Sequence, residues 1–239
     1  MKIIILSSLK GGVGKTAISI HLALELRKRH NVVFLDLDPQ ASATDFLLRD
    51  TDIDQLDRRG ALQLLTEAAD PRELIWETGF GIDCIPSTLH LHRAGIEMAG
   101  DPGAMLRIAK EVRCLEYDYA IVDSPPGLSY EFRQAINMAD IVLSPMTYDR
   151  WAVQGVGMLI DEVAKARKSG GSQRLLVVPS IVSGSEDEKL RQDMDGEVEF
   201  SRASILRKGV VKTALGRGRP LPSGSDSEEQ FHRLSKELS

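Results

Sequence analysis

The sequence predicts an α/β domain built on a mostly parallel central sheet flanked by helices, and two observations predict it. Short β-branched runs alternate along the chain with longer amphipathic stretches, and a glycine-rich loop joins the first run to the first stretch. The runs Ile3 to Leu6, Val32 to Leu35, Ile82 to Ile85, Ala120 to Val122, Ile141 to Leu143 and Leu175 to Val178 are nearly continuous in apolar residues, the pattern of strands covered on both faces. Between them, apolar spacing near the helical period predicts helices from Lys15 to Arg29, Gly60 to Ala68, Pro102 to Val112, Tyr130 to Met138 and Trp151 to Lys168. A last helix is expected from Glu228 to Leu238, after a surface turn at Ser223-Gly224-Ser225-Asp226-Ser227. Strand, helix, strand at this rhythm gives parallel neighbours joined by right-handed crossovers. Sheets of that kind bind ligands beyond the C-terminal ends of their strands, so chemistry is sought in the residues that follow each strand.

A chain of 239 residues fits one core, and a single domain over residues 1–239 is expected. The hydrophobic share of 42% and charged share of 27% exclude a disordered or fibrous chain. Cys84 and Cys114 stand far apart, each without a Cys or His at metal-ligand spacing, so neither a disulfide framework nor a zinc site is indicated, and a reducing compartment is expected. The apolar start breaks at Ser7-Ser8 and Lys10, too early for a signal-peptide core or a membrane span. A net charge of -5 gives no general attraction to nucleic acid. Charge is unevenly placed, however: a basic C-terminal stretch, residues 201–220, holds Arg202, Arg207, Lys208, Lys212, Arg217 and Arg219 and no acid. Such a run is ordinarily a solvated face; in an otherwise acidic chain it is also the candidate DNA-binding surface.

The chemistry concentrates in Lys10-Gly11-Gly12-Val13-Gly14-Lys15-Thr16, between a buried strand and an amphipathic helix. Glycines let successive backbone N–H groups face one anion, and the helix N-terminus adds partial positive charge. Lys15 can then reach the β- and γ-phosphates of a nucleotide while the Thr16 hydroxyl is placed for Mg²⁺. Leu9 occupies the position where the strict phosphate-loop pattern has its first glycine, and a second lysine, Lys10, precedes the loop. Asp36, Asp38 and Asp123 each follow a buried strand, so they should gather beside the loop, where carboxylates hold Mg²⁺ or orient an attacking water.

This loop resembles the deviant Walker A loop of the ParA/MinD/Soj group of P-loop NTPases. Phe34 to Thr44 is similar to the Walker A' segment of the ParA branch, and Ile121 to Gly127 to its Walker B segment. Ile85-Pro86-Ser87, Ala139-Asp140 followed by Ser144-Pro145, and Gln154-Gly155 are in register too, so the resemblance covers about residues 1–160. It implies an ATPase, slow without its partner, that uses ATP and Mg²⁺ and forms an ATP-bound homodimer. It further implies non-specific DNA binding, a ParB-like centromere-binding or adaptor protein that stimulates hydrolysis, and a cytoplasmic, nucleoid-associated place in plasmid or chromosome partition. By resemblance Lys10, Gly11, Gly12, Val13, Gly14, Lys15, Thr16 and Ala17 hold the nucleotide, and Lys10 reaches the partner subunit's phosphates. Lys10, Lys15 and Asp38 are the catalytic set, with Asp38 on the attacking water; Thr16, Asp123 and Asp36 serve the metal. Which of Asp36 and Asp38 orients the water stays open.

A same-fold organiser of a protein cargo and a MinD-like membrane regulator are the alternatives. No membrane contact is expected, because the last helix is acidic and poor in bulky apolar residues. Ala17 stands where the family has a second Thr, leaving only its backbone N–H for the α-phosphate. Pro179-Ser180-Ile181-Val182-Ser183, expected after the sixth strand, lacks the polar, Arg-containing run of close Soj relatives, which leaves the base-reading residues unassigned.

Overall fold

The computed structural model describes residues 1–101 and 103–239, with side chains throughout except at 104–106. Its strands are β1 (Lys2–Leu6), β2 (Val32–Asp36), β3 (Trp76–Glu77), β4 (Asp83–Ile85), β5 (Tyr119–Asp123), β6 (Ile141–Met146), β7 (Arg174–Val182) and β8 (Ile205–Leu206). The helices are α1 (Lys15–Leu26), α2 (Ser42–Leu47), α3 (Ile53–Arg58), α4 (Ala61–Thr66), α5 (Ala94–Glu97), α6 (Ala104–Arg113), α7 (Tyr130–Met138), α8 (Arg150–Lys168), α9 (Gly184–Asp193), α10 (Gly209–Gly216) and α11 (Asp226–Leu238).

One sheet runs in the order β3-β4-β2-β5-β1-β6-β7-β8, parallel throughout except for the β3–β4 edge. β1 lies between β5 and β6, so Ile3, Ile4, Ile5 and Leu6 are wholly buried, as their unbroken apolar run requires. Strand alternation divides the chain's apolar residues between two layers. Ile4, Leu6, Phe34 and Ile121 pack with Ile18 and Leu22 of α1 and Phe231 and Leu234 of α11. Ile3, Ile5, Leu35 and Val122 pack on the other face with Phe132 of α7 and Leu159 and Val163 of α8.

Every strand expected from the sequence is present, and β3 and β8 are additional. Each of those is two residues long, too short to carry a period. α1 ends at Leu26 rather than Arg29. α2, α3, α5, α9 and α10 are additional to the expected helices; most are short, and α9 is so polar that only its Ser183-x-x-Glu186 capping box marks it. α6 covers the expected helix from Ala104, and the expected start at Pro102 lies outside the described residues. One boundary matters for function. Pro179 to Val182, expected beyond a strand end, belongs to β7, with Pro179 paired opposite Met146.

Candidate functional site

β1 delivers the chain into the glycine loop, and the loop delivers it into α1. Gly12 and Gly14 adopt left-handed backbone at φ 76° and 92°, which disfavours any side chain. A Cβ on Gly14 would also sit 3.0 Å from Ser180 Oγ. Gly14 caps α1 without a side-chain bond, and the first turn holds no acid, so the helix presents its N-terminal N–H groups to the space above the loop.

The expected side chains converge there. Thr16 Oγ1 donates to Asp123 Oδ2 at 2.6 Å, and Ser19 Oγ donates to Asp123 Oδ1 at 2.9 Å. Lys15 is buried; desolvation lowers its pKa, opposed by the charges of Asp123 and Asp38. Asp36 accepts from Asp38 N at 3.1 Å through one oxygen, and through the other from Thr44 N at 2.9 Å and Thr44 Oγ1 at 2.8 Å. Burial pushes the pKa of both Asp36 and Asp123 upward, and for Asp36 the charge of Asp123 adds to it. Asp38 accepts from Gln40 N at 2.9 Å with Oδ1, while its carbonyl is held by Ser87 Oγ at 2.8 Å.

Lys10 points elsewhere. Its Nζ pairs with Asp149 Oδ2 and lies 3.4 Å from Thr147 Oγ1, both in its own chain. Asp149 Oδ1 in turn accepts from Trp151 N and Ala152 N, each at 3.1 Å, and so caps α8.

A cavity of about 1010 Å³ opens over the loop. One end is lined by Gly11, Gly12, Gly14, Lys15, Thr16 and Asp38, the other by Ile181, Ile205, Leu206, Val211 and Leu215. The basic stretch does not form one surface. Arg207, Lys208 and Lys212 line this cavity. Lys208 pairs with Asp226 at 2.8 Å, and Arg207 donates to Ile181 O at 3.3 Å with Glu186 at 3.7 Å. The backbone of Arg202 donates to Glu237. Arg217 and Arg219 follow α10 and flank Gly218, which packs on the Arg49 guanidinium. A second hollow of about 610 Å³, lined by Arg27, Asn31 and Tyr117 among others, lies at the opposite edge of the sheet, away from all of these groups.

The donor set suits Mg²⁺. The Thr16 hydroxyl and the Asp123 carboxylate are hard oxygens already in contact at the helix N-terminus, and buried carboxylates with raised pKa gain from a cation. Among the described residues no three His, Cys, Asp or Glu side chains form a cage, so the ion would depend on phosphate and water as well, as Mg²⁺ commonly does.

A family model described as an AAA domain matches residues 1–176. The sporulation initiation inhibitor protein Soj of Bacillus subtilis is 32% identical over 223 residues, covering 90% of this chain and 84% of that protein. The chain belongs to the ParA/Soj family. A second ParA/Soj relative, the chromosome-partitioning ATPase Soj of Thermus thermophilus, is 33% identical over 181 residues, 75% of this chain and 68% of its own. In fold, the chain superposes on a plasmid partition protein of Borrelia burgdorferi bound to AMPPNP with a TM-score of 0.86, at 23% identity over 99% of this chain and 98% of that one. Among the described residues of this ParA/Soj member, no helix is long and apolar enough to cross a membrane.

Sequence patterns did not single out Ser19, Asp149 or α10. Ser19 follows Thr16 by one helical turn, and Asp149 before a helix is an N-cap signature, so both left a signal that could have been followed. α10 left none beyond its charges.

Proposed function

We propose that this chain is a slow ATPase that dimerises around ATP, binds DNA non-specifically in that state, and drives plasmid or chromosome partition with a ParB-like protein that stimulates hydrolysis. One observation carries the reading: an uncapped helix N-terminus, Lys15, Thr16, Asp38 and Asp123 meet at one end of a nucleotide-sized cavity. Backbone N–H groups from Lys10 to Ala17 hold the phosphates, and Lys15 neutralises the β- and γ-phosphate charge. Mg²⁺, when bound, spreads the charge that develops on the transferring phosphoryl group. Thr16 and Asp123 serve that ion.

Hydrogen bonding favours Asp38 over Asp36 for the attacking water. Both oxygens of Asp36 are taken by Asp38 N and Thr44, whereas Asp38 uses Oδ1 on Gln40 N and keeps Oδ2 for a water. Asp36 then supports the metal side indirectly, by fixing the segment that bears Asp38. Lys10 leaves Asp149 to reach the partner subunit's phosphates. Arg217 and Arg219 supply the DNA contacts, since Arg207, Lys208 and Lys212 line the cavity and the first two already face carboxylates.

The test is DNA binding measured without nucleotide, with ADP, with ATP, and with a slowly hydrolysed ATP analogue. Binding only with ATP or the analogue is expected. An ATP-bound dimer that binds no DNA at low salt would point instead to a protein cargo carried by the same fold.

A further inference from the structure

The chain beyond β4 reaches back to the segment that bears Asp38. β4 runs parallel to β2 with Cys84 beside Phe34 and Ile85 beside Leu35, so Pro86 and Ser87 continue alongside the stretch that leaves β2 through Asp36 and Leu37. Proline has no N–H to give a ladder. Pro86 offers its carbonyl to the start of α4 instead, where Ala61 N donates to it at 2.8 Å. The fit there is close, since a Cβ on Gly60 would sit 2.7 Å from that oxygen. Ser87 is therefore held from behind. It is buried, and both of its donors are spent on residues 38–44, the N–H on Thr44 Oγ1 at 2.9 Å and the hydroxyl on Asp38 O at 2.8 Å. A hydroxyl taken out of water costs free energy that only such bonds offset, and an apolar residue would fill the same space without that cost.

These bonds bear on the main chain of the residue proposed to hold the water. Asp38 N donates to Asp36 Oδ1 at 3.1 Å, and Asp38 O accepts from Ala41 N at 2.8 Å as well as from Ser87. Asp36 and Ala41 belong to the same stretch as Asp38; of these three bonds, the one from Ser87 alone comes from beyond another strand. The Ser87 N–H adds a second tie through Thr44, whose hydroxyl accepts it and donates in turn to Asp36 Oδ2 at 2.8 Å. With its N–H and its carbonyl both held, Asp38 has its Cα–Cβ direction set, and Gln40 N on Oδ1 sets the carboxylate, so Oδ2 is aimed. Neither Ser87 nor Thr44 lines the cavity, and what they do there they do through Asp38. Aim matters, because a displacement of about 1 Å can cost a hundredfold in rate.

We propose that Ser87 is a positioning residue for hydrolysis: its hydroxyl anchors the Asp38 peptide to the chain beyond β4 and so aims Oδ2 at the attacking water. The inference rests on the reading of Asp38 above, and the experiment separates the two. Single-turnover hydrolysis of labelled ATP with Mg²⁺ and calorimetric affinity for a slowly hydrolysed ATP analogue are measured on the full chain, Ser87→Ala, Asp38→Ala and the double variant, each at the same protein concentration. Ser87→Ala should hydrolyse ATP slower by about ten- to a hundredfold and bind the analogue as the unsubstituted chain does. In the double variant the loss should equal that of Asp38→Ala alone, because a group that acts through Asp38 then has nothing to act on. Hydrolysis by Ser87→Ala at the unsubstituted rate overturns the positioning role and leaves Asp38 on the water. Analogue affinity lost together with turnover makes Ser87 a support of the fold instead. A double variant slower than Asp38→Ala by the full factor of the serine change shows that Ser87 acts by another route, and the proposal falls. Hydrolysis by Asp38→Ala at the original rate defeats the reading of Asp38 itself.

Discussion

Lys10 and Asp149 form an ion pair within one chain, and Asp149 uses its second oxygen to cap α8. The lysine that the proposed dimer sends across to a partner is thus neutralised at home, and on that proposal dimerisation would break this pair. Asp149→Asn keeps an N-cap acceptor and removes the charge. Such a variant should reach half-maximal ATPase activity per subunit at a several-fold lower protein concentration than the unsubstituted chain. In a Lys10→Ala background the same change should do nothing. Titrating turnover against protein concentration checks both.

Asp38→Ala is expected to bind ATP normally and hydrolyse it slower by about a hundredfold or more, the usual scale for a lost proton-handling group. Its nucleotide-bound dimer should accumulate on size-exclusion chromatography. Turnover at the original rate would take Asp38 off the water.

Lys15→Ala should abolish nucleotide binding, because the buried ammonium offsets charge that the loop's N–H groups meet only in part. Tight ATP binding by this variant in calorimetry would refute the loop's assignment.

For DNA, the structure separates the basic stretch into parts that can be tested apart. Arg217→Glu with Arg219→Glu should weaken binding of the ATP-bound protein and flatten its salt dependence, because the slope falls by about one for every phosphate that the protein no longer neutralises. ATP affinity should not change. Arg207→Glu or Lys208→Glu should disturb nucleotide binding as well, because both side chains line the cavity. Filter binding at several salt concentrations distinguishes the two groups.

Acid should destabilise the fold through His21. This ring lies 5.0 Å from Phe231 between α1 and α11, and burial lowers its pKa from 6.5 to about 4. Below pH 6.5 the unfolded chain takes a proton that the folded one refuses. The stability His21 contributes when neutral is therefore complete above that pH and is lost as pH falls towards 4. The loss is a few kcal/mol at most, at about 1.4 kcal/mol for each tenfold difference in proton affinity between the two states. His21→Leu should show a smaller drop in urea midpoint between pH 7.5 and about 5 than the unsubstituted chain.

The sheet was legible because Ile3 to Leu6, Phe34 and Val122 sit in strands buried on both faces, where burial leaves only apolar residues and erases alternation. Asp36, Asp38 and Asp123 were legible as strand-end carboxylates for the same reason. What stayed hidden depends on partners distant in sequence. The direction of Lys10 is set by Asp149, and the wall of the cavity by a bulge that pairs with Ile205, and neither has a local pattern. The basic stretch misled in its own way: a row of charges reads as one surface, yet the turn into α10 sends Arg207, Lys208 and Lys212 into the cavity and leaves Arg217 and Arg219 outside it.

By gripping Asp38 N with one oxygen and Thr44 with the other, Asp36 closes residues 37–43 into a ring stapled at both feet, with Ala41 held left-handed at φ 51° inside it. A ring so short has little slack. Asp38 is held in place rather than left to wander, so under the proposed function the wait before hydrolysis would be set by the arrival of a second subunit or a stimulating protein. On that proposal the molecule would act as a timer wound by ATP and tripped from outside, with its escapement already rigid before the trigger comes.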